Sequence, residues 1–206
     1  YNLKPDGDFM HANGIDYDAT KNLIYISVNF FSEVWVIDHS TTTNEASSTL
    51  GGNYNKGGDL LYRFGNPSAY NNASGTRTFY NNHFPNLLEN GVPGEGNMLI
   101  FGNYGPNQSA ESTVYEMMFP DPFLLLPNTN NEPTIVWSFI DDELHNGKIS
   151  GADRLANGNT LICEGDFGMW EVTPEKEIVW KYENIGSSWR AYGYDIESSA
   201  LQFLPL

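Results

Sequence analysis

Residues 150–184, SGADRLANGNTLICEGDFGMWEVTPEKEIVWKYEN, decide the fold, because they divide into four short apolar runs parted by turn residues. Residues 150–155 read as a first strand, and Asn157-Gly158-Asn159 as a turn of residues that tolerate positive φ. Residues 160–164, 169–173 and 178–182 read as three more strands, separated by turns at 165–168 and Pro174-Glu175-Lys176. Four antiparallel strands in about 35 residues are the size and pattern of one blade of a β-propeller.

The pattern recurs on the N-terminal side. Residues 11–66 carry HANGIDYD, NLIYISV and EVWVIDHS, then a long polar loop, then DLLYRFGN. Residues 83–141 carry HFPNLLEN, NMLIFGN and STVYEMM, an insertion holding Pro120, Pro122 and Pro127, then TIVWSFID. The last runs, LLYRFGN, IVWSFID and IVWKYEN, match position by position, and the third runs share EVWVI, TVYEM and GMWEV. The expectation is therefore an all-β chain, a single β-propeller domain or part of one. Its four-stranded blades lie at 11–66, 83–141 and 150–184, and residues 185–206 begin a further blade. Leu23 and Tyr25 fall on one face of a strand and Ile24 and Ile26 on the other, so both faces are expected to be covered by neighbouring blades. Trp35, Tyr115 and Trp170 are read as core between blades, and Asp16, Asp38 and Asp59 as turn or hydrogen-bonding residues. Propellers have four to eight blades, so three leave apolar end faces that further chain segments or a second copy must cover.

A net charge of −16 with ten Lys and Arg excludes a basic surface for nucleic acid or an anionic membrane. No apolar run is long enough for a membrane helix, Phe123-Leu124-Leu125-Leu126 being far too short. The acidity suits an extracytoplasmic protein, periplasmic or secreted. The sequence opens on Tyr1 and reads as a processed or partial polypeptide. The single cysteine, Cys163, lies in an apolar run and reads as a small buried hydrophobe. Asp6-Gly7-Asp8 reads as a turn, too poor in ligands for a calcium loop, and no metal site or cofactor is expected.

Histidine placement carries the chemistry. Seven residues before Asp18, Asn90 and Asn157 stand His11, His83 and Ser150. Two of the four histidines are thus expected at one blade position, the start of the innermost strand, where successive blades meet at a mouth of the central channel. Imidazole there can serve as base, acid, nucleophile or metal ligand. His39 lies in a polar loop and reads as solvated, whereas the loop holding His145 could reach the channel.

Taken together, HANGIDYD with NLIYISVNFFSEVWVIDHSTTTNEA, GGDLLYRFGNP, NNHFPNLLENG, ISGADRLANGNTLICEG and WEVTPEKEIVWKYEN resemble the bacterial arylsulfate sulfotransferase family over nearly all 206 residues. The resemblance is to roughly the C-terminal half of that family's six-bladed propeller. It implies transfer of a sulfuryl group from a phenolic sulfate to a phenol through a sulfohistidine in the channel, with no nucleotide donor. It also implies that His11, in a His-x-Asn pattern with Asn13, and His83, after Asn82, are the catalytic residues; Asn13, Asn82, Ser150, Arg154 and Arg190 are the candidates for binding substrate. Sulfuryl transfer needs cationic donors on the sulfate oxygens, a nucleophilic nitrogen in line with sulfur and an acid for the departing phenolate. Ser150 stands where a third histidine would continue the series, and Tyr104-Gly105-Pro106-Asn107 lacks the arginine that the family carries after the FGN run. Arg154 and Arg190 are the candidate replacements. Those departures keep a second expectation open: a propeller without the chemistry, serving as a binding, adhesion or assembly module.

Overall fold

The computed structural model describes residues 7–183, 186–194, 196, 199 and 201. Strands β1 (Ala12–Asp18), β2 (Leu23–Val28), β3 (Glu33–Asp38) and β4 (Tyr62–Phe64) form a first sheet in chain order. Strands β5 (Tyr80–Leu87), β6 (Met98–Tyr104), β7 (Thr113–Met118) and β8 (Thr134–Ile140) form a second. Strands β9 (Gly151–Arg154), β10 (Thr160–Glu164), β11 (Gly168–Val172) and β12 (Ile178–Glu183) form a third. Every strand pair is antiparallel. The polar loop after β3 folds a short helix, α1 (Thr43–Ala46), whose capping box joins Thr42 and Glu45. The second unit begins at Tyr80, three residues before the expected start at His83. Much of the further unit expected at 185–206 lies outside the described residues.

The second sheet is apolar on both faces because it is packed between the other two. Met98, Ile100, Tyr115 and Met117 meet Leu23, Tyr25, Val36 and Tyr62 of the first sheet. Leu99, Phe101, Val114 and Phe139 meet Ala152, Ile162, Trp170 and Val172 of the third. Each large side chain buried in this way contributes about 1.5–3 kcal/mol of transfer free energy, so these two layers hold the sheets together.

The pairing register makes the repeat three-dimensional. Ile26 pairs with Trp35, Ile100 with Tyr115 and Ile162 with Trp170, so the three aromatics occupy one position. Tyr115 and Trp170 fill the cores toward the preceding sheet. Trp35 corrects the expectation of a core residue: no described sheet precedes its own, and it is only half buried. There it donates to Glu33 Oε2 at 2.6 Å and lies beneath the Arg63 guanidinium, 5.7 Å from its ring. Polar contacts repeat as well: Asn97 donates to Glu116 and Asn159 to Glu171, each at 2.6 Å.

The first strand of each sheet lies at one side of the stack, and matched residues on these strands bridge successive sheets. Leu87 N donates to Asp16 Oδ2 at 2.5 Å, Asn86 Nδ2 donates to Ala152 O at 2.9 Å, and Gly193 N donates to Asp153 Oδ2 at 2.8 Å. Asp16, Asn86 and Asp153 pair with Tyr25, Leu99 and Leu161, which are equivalent by register. Residue 193 therefore meets the third sheet as Leu87 meets the first. Ile15 and Tyr17 remain exposed on the outer face of the first sheet, and Trp180 and Tyr182 on that of the third.

Candidate functional site

The register places the two expected catalytic histidines differently from a count along the chain. His11 precedes β1, is exposed, and has a left-handed φ of 49°. His83 lies inside β5, buried to 5% exposure, and pairs with Phe101. The offset lies in the turn from which the count starts: by pairing Asp18 matches Leu88, opposite Asn97, and not Asn90, while the single extra residues between Ala12 and Gly14 in β1 and between His83 and Asn86 in β5 cancel. By pairing, His83 matches Gly14 and Gly151, whose partners are Ser27 and Cys163, so the expected equivalence of His11, His83 and Ser150 is corrected. His11 instead matches Asn81, which shares its left-handed backbone at φ 55°.

The segments that hold the histidines are nonetheless joined through Asn29, whose N donates to His11 O at 3.3 Å and whose Nδ2 donates to Asn82 O at 3.2 Å. Burial pushes the His83 imidazole down from 6.5 to about 4; its hydrogen bond to Asn103 opposes the shift, while charge on His11 and Arg190 adds to it. His83 Nδ1 lies 2.5 Å from Asn103 Oδ1. His11 Nδ1 lies 2.5 Å from Asp8 Oδ2, and its ring stacks on Phe30 with centroids 4.7 Å apart.

Asn82, Asn13 and Arg190 join this cluster. Asn82 is fully buried and donates to Ser27 Oγ at 2.6 Å and Glu33 O at 2.9 Å, tying β5 to the first sheet. Its backbone oxygen accepts from Asn13 Nδ2 at 2.8 Å. Arg190 Nη2 donates to Asn13 O at 2.7 Å, and its guanidinium lies 4.8 Å from the Phe84 ring centre. The amide oxygens of Asn13 and Asn82 are buried without a donor among the described residues.

Ser150 and Arg154 do not join it through their side chains. Ser150 Oγ is buried and accepts from Gly165 N at 3.1 Å, closing the start of β9 against the end of β10. Arg154 Nη2 reaches Glu116 Oε2 at 2.6 Å, both side chains 7% exposed, and its guanidinium lies 5.6 Å from the Trp137 ring. It is an ion-pair partner between the second and third sheets. His39 is exposed, with Nδ1 2.8 Å from Asn22 Oδ1. His145 is held at the surface by Ala110 O and by its backbone bond to Glu164.

A cavity of about 450 Å³ runs along the first strands of the three sheets, lined by Asp16, Phe84, Asp153, Arg154, Arg190 and Tyr192 among others. Neither His11 nor His83 lines it. Arg190 is the residue common to the cavity and the histidine cluster, and Tyr192 meets Phe84 edge-on at 5.7 Å. Sequence reasoning missed Asn103, Phe84, Asp8 and Tyr192. A signal for Asn103 existed in the final residue of NMLIFGN, since Asn29 takes the matching place three residues after Ile26.

No family model matches the chain, and no curated protein matches it. Among solved structures it is similar to a protein of unknown function from Bacteroides caccae, with 12% sequence identity and a TM-score of 0.49. The similarity covers 92% of this chain and 51% of that one, so the chain spans about half the length of that protein. No helix among the described residues is long and apolar enough to cross a membrane.

Proposed function

We propose that the three sheets are successive blades of a β-propeller of an extracytoplasmic protein resembling the arylsulfate sulfotransferases, with His83 the group that carries the sulfuryl moiety. The observation that carries this reading is the His83 imidazole, buried and held at Nδ1 by Asn103, next in sequence to Asn82, whose backbone oxygen binds Asn13, the residue on which Arg190 is anchored. A neutral imidazole is a nucleophile, and Arg190 is the adjacent guanidinium for sulfate oxygens. Asn13 and Asn82 position β1 and β5 around these groups. In the reaction the imidazole nitrogen attacks sulfur, the S–N bond forms, and the S–O bond breaks with its electron pair on the departing phenolate. A phenol acceptor then takes the sulfuryl group, its proton passes through solvent to that phenolate, and the lone pair returns to nitrogen. The exposed faces holding Ile15, Tyr17, Trp180 and Tyr182 are covered by further blades, from more of the polypeptide or from a second copy.

The second reading, a binding or assembly module without transfer, is favoured by the Arg154–Glu116 pair, which removes one of the two candidate guanidinium groups from the histidines. The test is to incubate the protein with 4-nitrophenyl sulfate and a phenol acceptor and follow nitrophenolate. Acceptor-dependent release that is lost in His83→Ala, with the fold retained, is expected. A correctly folded wild-type protein that releases none across several donors and pH values overturns the transfer reading in favour of the module.

A further inference from the structure

Asn103 is completely buried at the end of β6, and every polar atom of its side chain is engaged. Its Nδ2 lies 2.6 Å from Asn146 O and 2.8 Å from Ile149 O. Carbonyl oxygens only accept, so both amide hydrogens point at them and the amide cannot be reversed. Oδ1 therefore faces His83 Nδ1, at 2.5 Å, and since that oxygen also only accepts, Nδ1 must bear the hydrogen. The lone pair of the ring is left on Nε2.

The support behind Asn103 is itself fixed. Ser112 Oγ donates to Asn103 O at 2.9 Å and accepts from Asn146 N at 2.9 Å. Asn146 Oδ1 accepts from Lys148 N at 2.9 Å and Ile149 N at 3.0 Å, shaping the connection into the third sheet. In the first sheet, Asn29 makes a related bridge: its Nδ2 donates to Asn82 O at 3.2 Å and its Oδ1 accepts from Asn81 Nδ2 at 2.7 Å. The same asparagine thus joins sheets at both places, and at Asn103 its acceptor has been turned onto a histidine.

We infer that Asn103 is the positioning residue of this site: it holds His83 as the Nδ1–H tautomer, so that Nε2 is the nitrogen that attacks sulfur. Its role in transfer rests on the function proposed above, whereas its hold on the ring does not. When Nε2 takes the sulfuryl group and the phenolate leaves, the ring gains positive charge while keeping its Nδ1–H bond to Asn103 Oδ1. That bond strengthens as the charge develops. When the acceptor oxygen takes sulfur, the N–S pair returns to Nε2 and the same tautomer is restored.

The experiment is ¹⁵N NMR of histidine-labelled full chain, in which protonated and unprotonated ring nitrogens are resolved, alongside the nitrophenyl sulfate assay. Wild-type His83 is expected as the Nδ1–H tautomer from pH 8 to pH 5. Asn103→Leu should yield Nε2–H or a mixture, and kcat should fall by at least about tenfold, toward the ~10⁴-fold typical of a catalytic histidine in the wrong tautomer, with KM little changed. Asn103→Asp can still accept from Nδ1, so it should retain the tautomer and move the acid limb of the pH profile upward, and it serves if the leucine variant fails to fold. An Nε2–H tautomer in the wild type, or Nδ1–H retained in folded Asn103→Leu, overturns the inference. The expected tautomers without any transfer would instead sink the transfer reading, and with it the catalytic part of Asn103.

Discussion

Glu116→Gln separates a structural from a substrate-binding role for Arg154. The wild-type carboxylate meets Arg154 Nη2 at 2.6 Å and also accepts from Asn97 Nδ2 at 2.6 Å. Glutamine keeps the volume, so no cavity opens, but a guanidinium whose Nε already lacks a partner is left uncompensated between two sheets. Breaking a buried pair from one side costs about 3–5 kcal/mol, whereas removing both charges is close to neutral. With a urea m-value of about 2 kcal/mol/M, the single variant should unfold at about 1.5–2.5 M lower denaturant, and Glu116→Gln combined with Arg154→Met should recover most of that loss. The measurement is urea denaturation followed by tryptophan fluorescence, with transfer assayed on the double variant. A single variant within about 0.5 kcal/mol of wild type refutes the structural reasoning. A well-folded double variant that has lost transfer would restore Arg154 as a substrate ligand.

Gly14→Ala should destabilise by about 1–3 kcal/mol, because a Cβ there would sit 2.6 Å from Pro85 Cδ where β1 and β5 approach; thermal melting checks this. Acid should weaken the fold through His83: with a folded value of about 4 against 6.5 unfolded, its contribution is complete above pH 6.5 and is lost progressively as pH falls toward 4, about 3 kcal/mol in all. His83→Gln should flatten that stretch of the stability curve. Arg190→Gln removes a positive neighbour, so the His83 titration followed by NMR should move upward; an unchanged or lower midpoint would show that Arg190 does not act on the ring.

Much of the fold was legible because strand and turn chemistry is local. The apolar runs of 150–184 lie within a residue or two of β9 to β12, and β10 coincides with its expected span. Matched third and fourth runs disclosed the repeat because equivalent residues pack against equivalent neighbours. Trp35 was misread for a reason outside any local pattern: its position faces the preceding sheet, and whether a sheet lies there is a fact of assembly. Arg154 and Arg190 look alike as isolated arginines. One meets Glu116, 38 residues away in sequence, and the other meets Asn13, 177 residues away, so only the folded chain separates an internal ion pair from a charge beside the histidines.

The site itself was obscured by the turns from which it was counted. Counting back assumes that the turn residues are equivalent, yet by pairing Asp18 matches Leu88, two residues before Asn90, and the one extra residue in each of β1 and β5 does not alter that difference. Equal counts therefore delivered His11 and His83 to unequal register positions, with different consequences for chemistry. Its place inside β5 leaves His83 in the wall between sheets, where burial lowers its proton affinity and Asn103 can engage one ring nitrogen. The residues before β1 leave His11 exposed, stacked on Phe30 and within ion-pair distance of Asp8. A site built from two equivalent histidines would offer the same group twice. On the transfer reading these two are not interchangeable: His83 has the buried imidazole suited to attack, and His11 has the solvent contact suited to exchanging the proton that the departing phenolate requires. His11→Ala should accordingly slow donors with poor leaving groups more than 4-nitrophenyl sulfate, while His83→Ala abolishes transfer from both. Equal losses across leaving groups in His11→Ala would remove that division of roles.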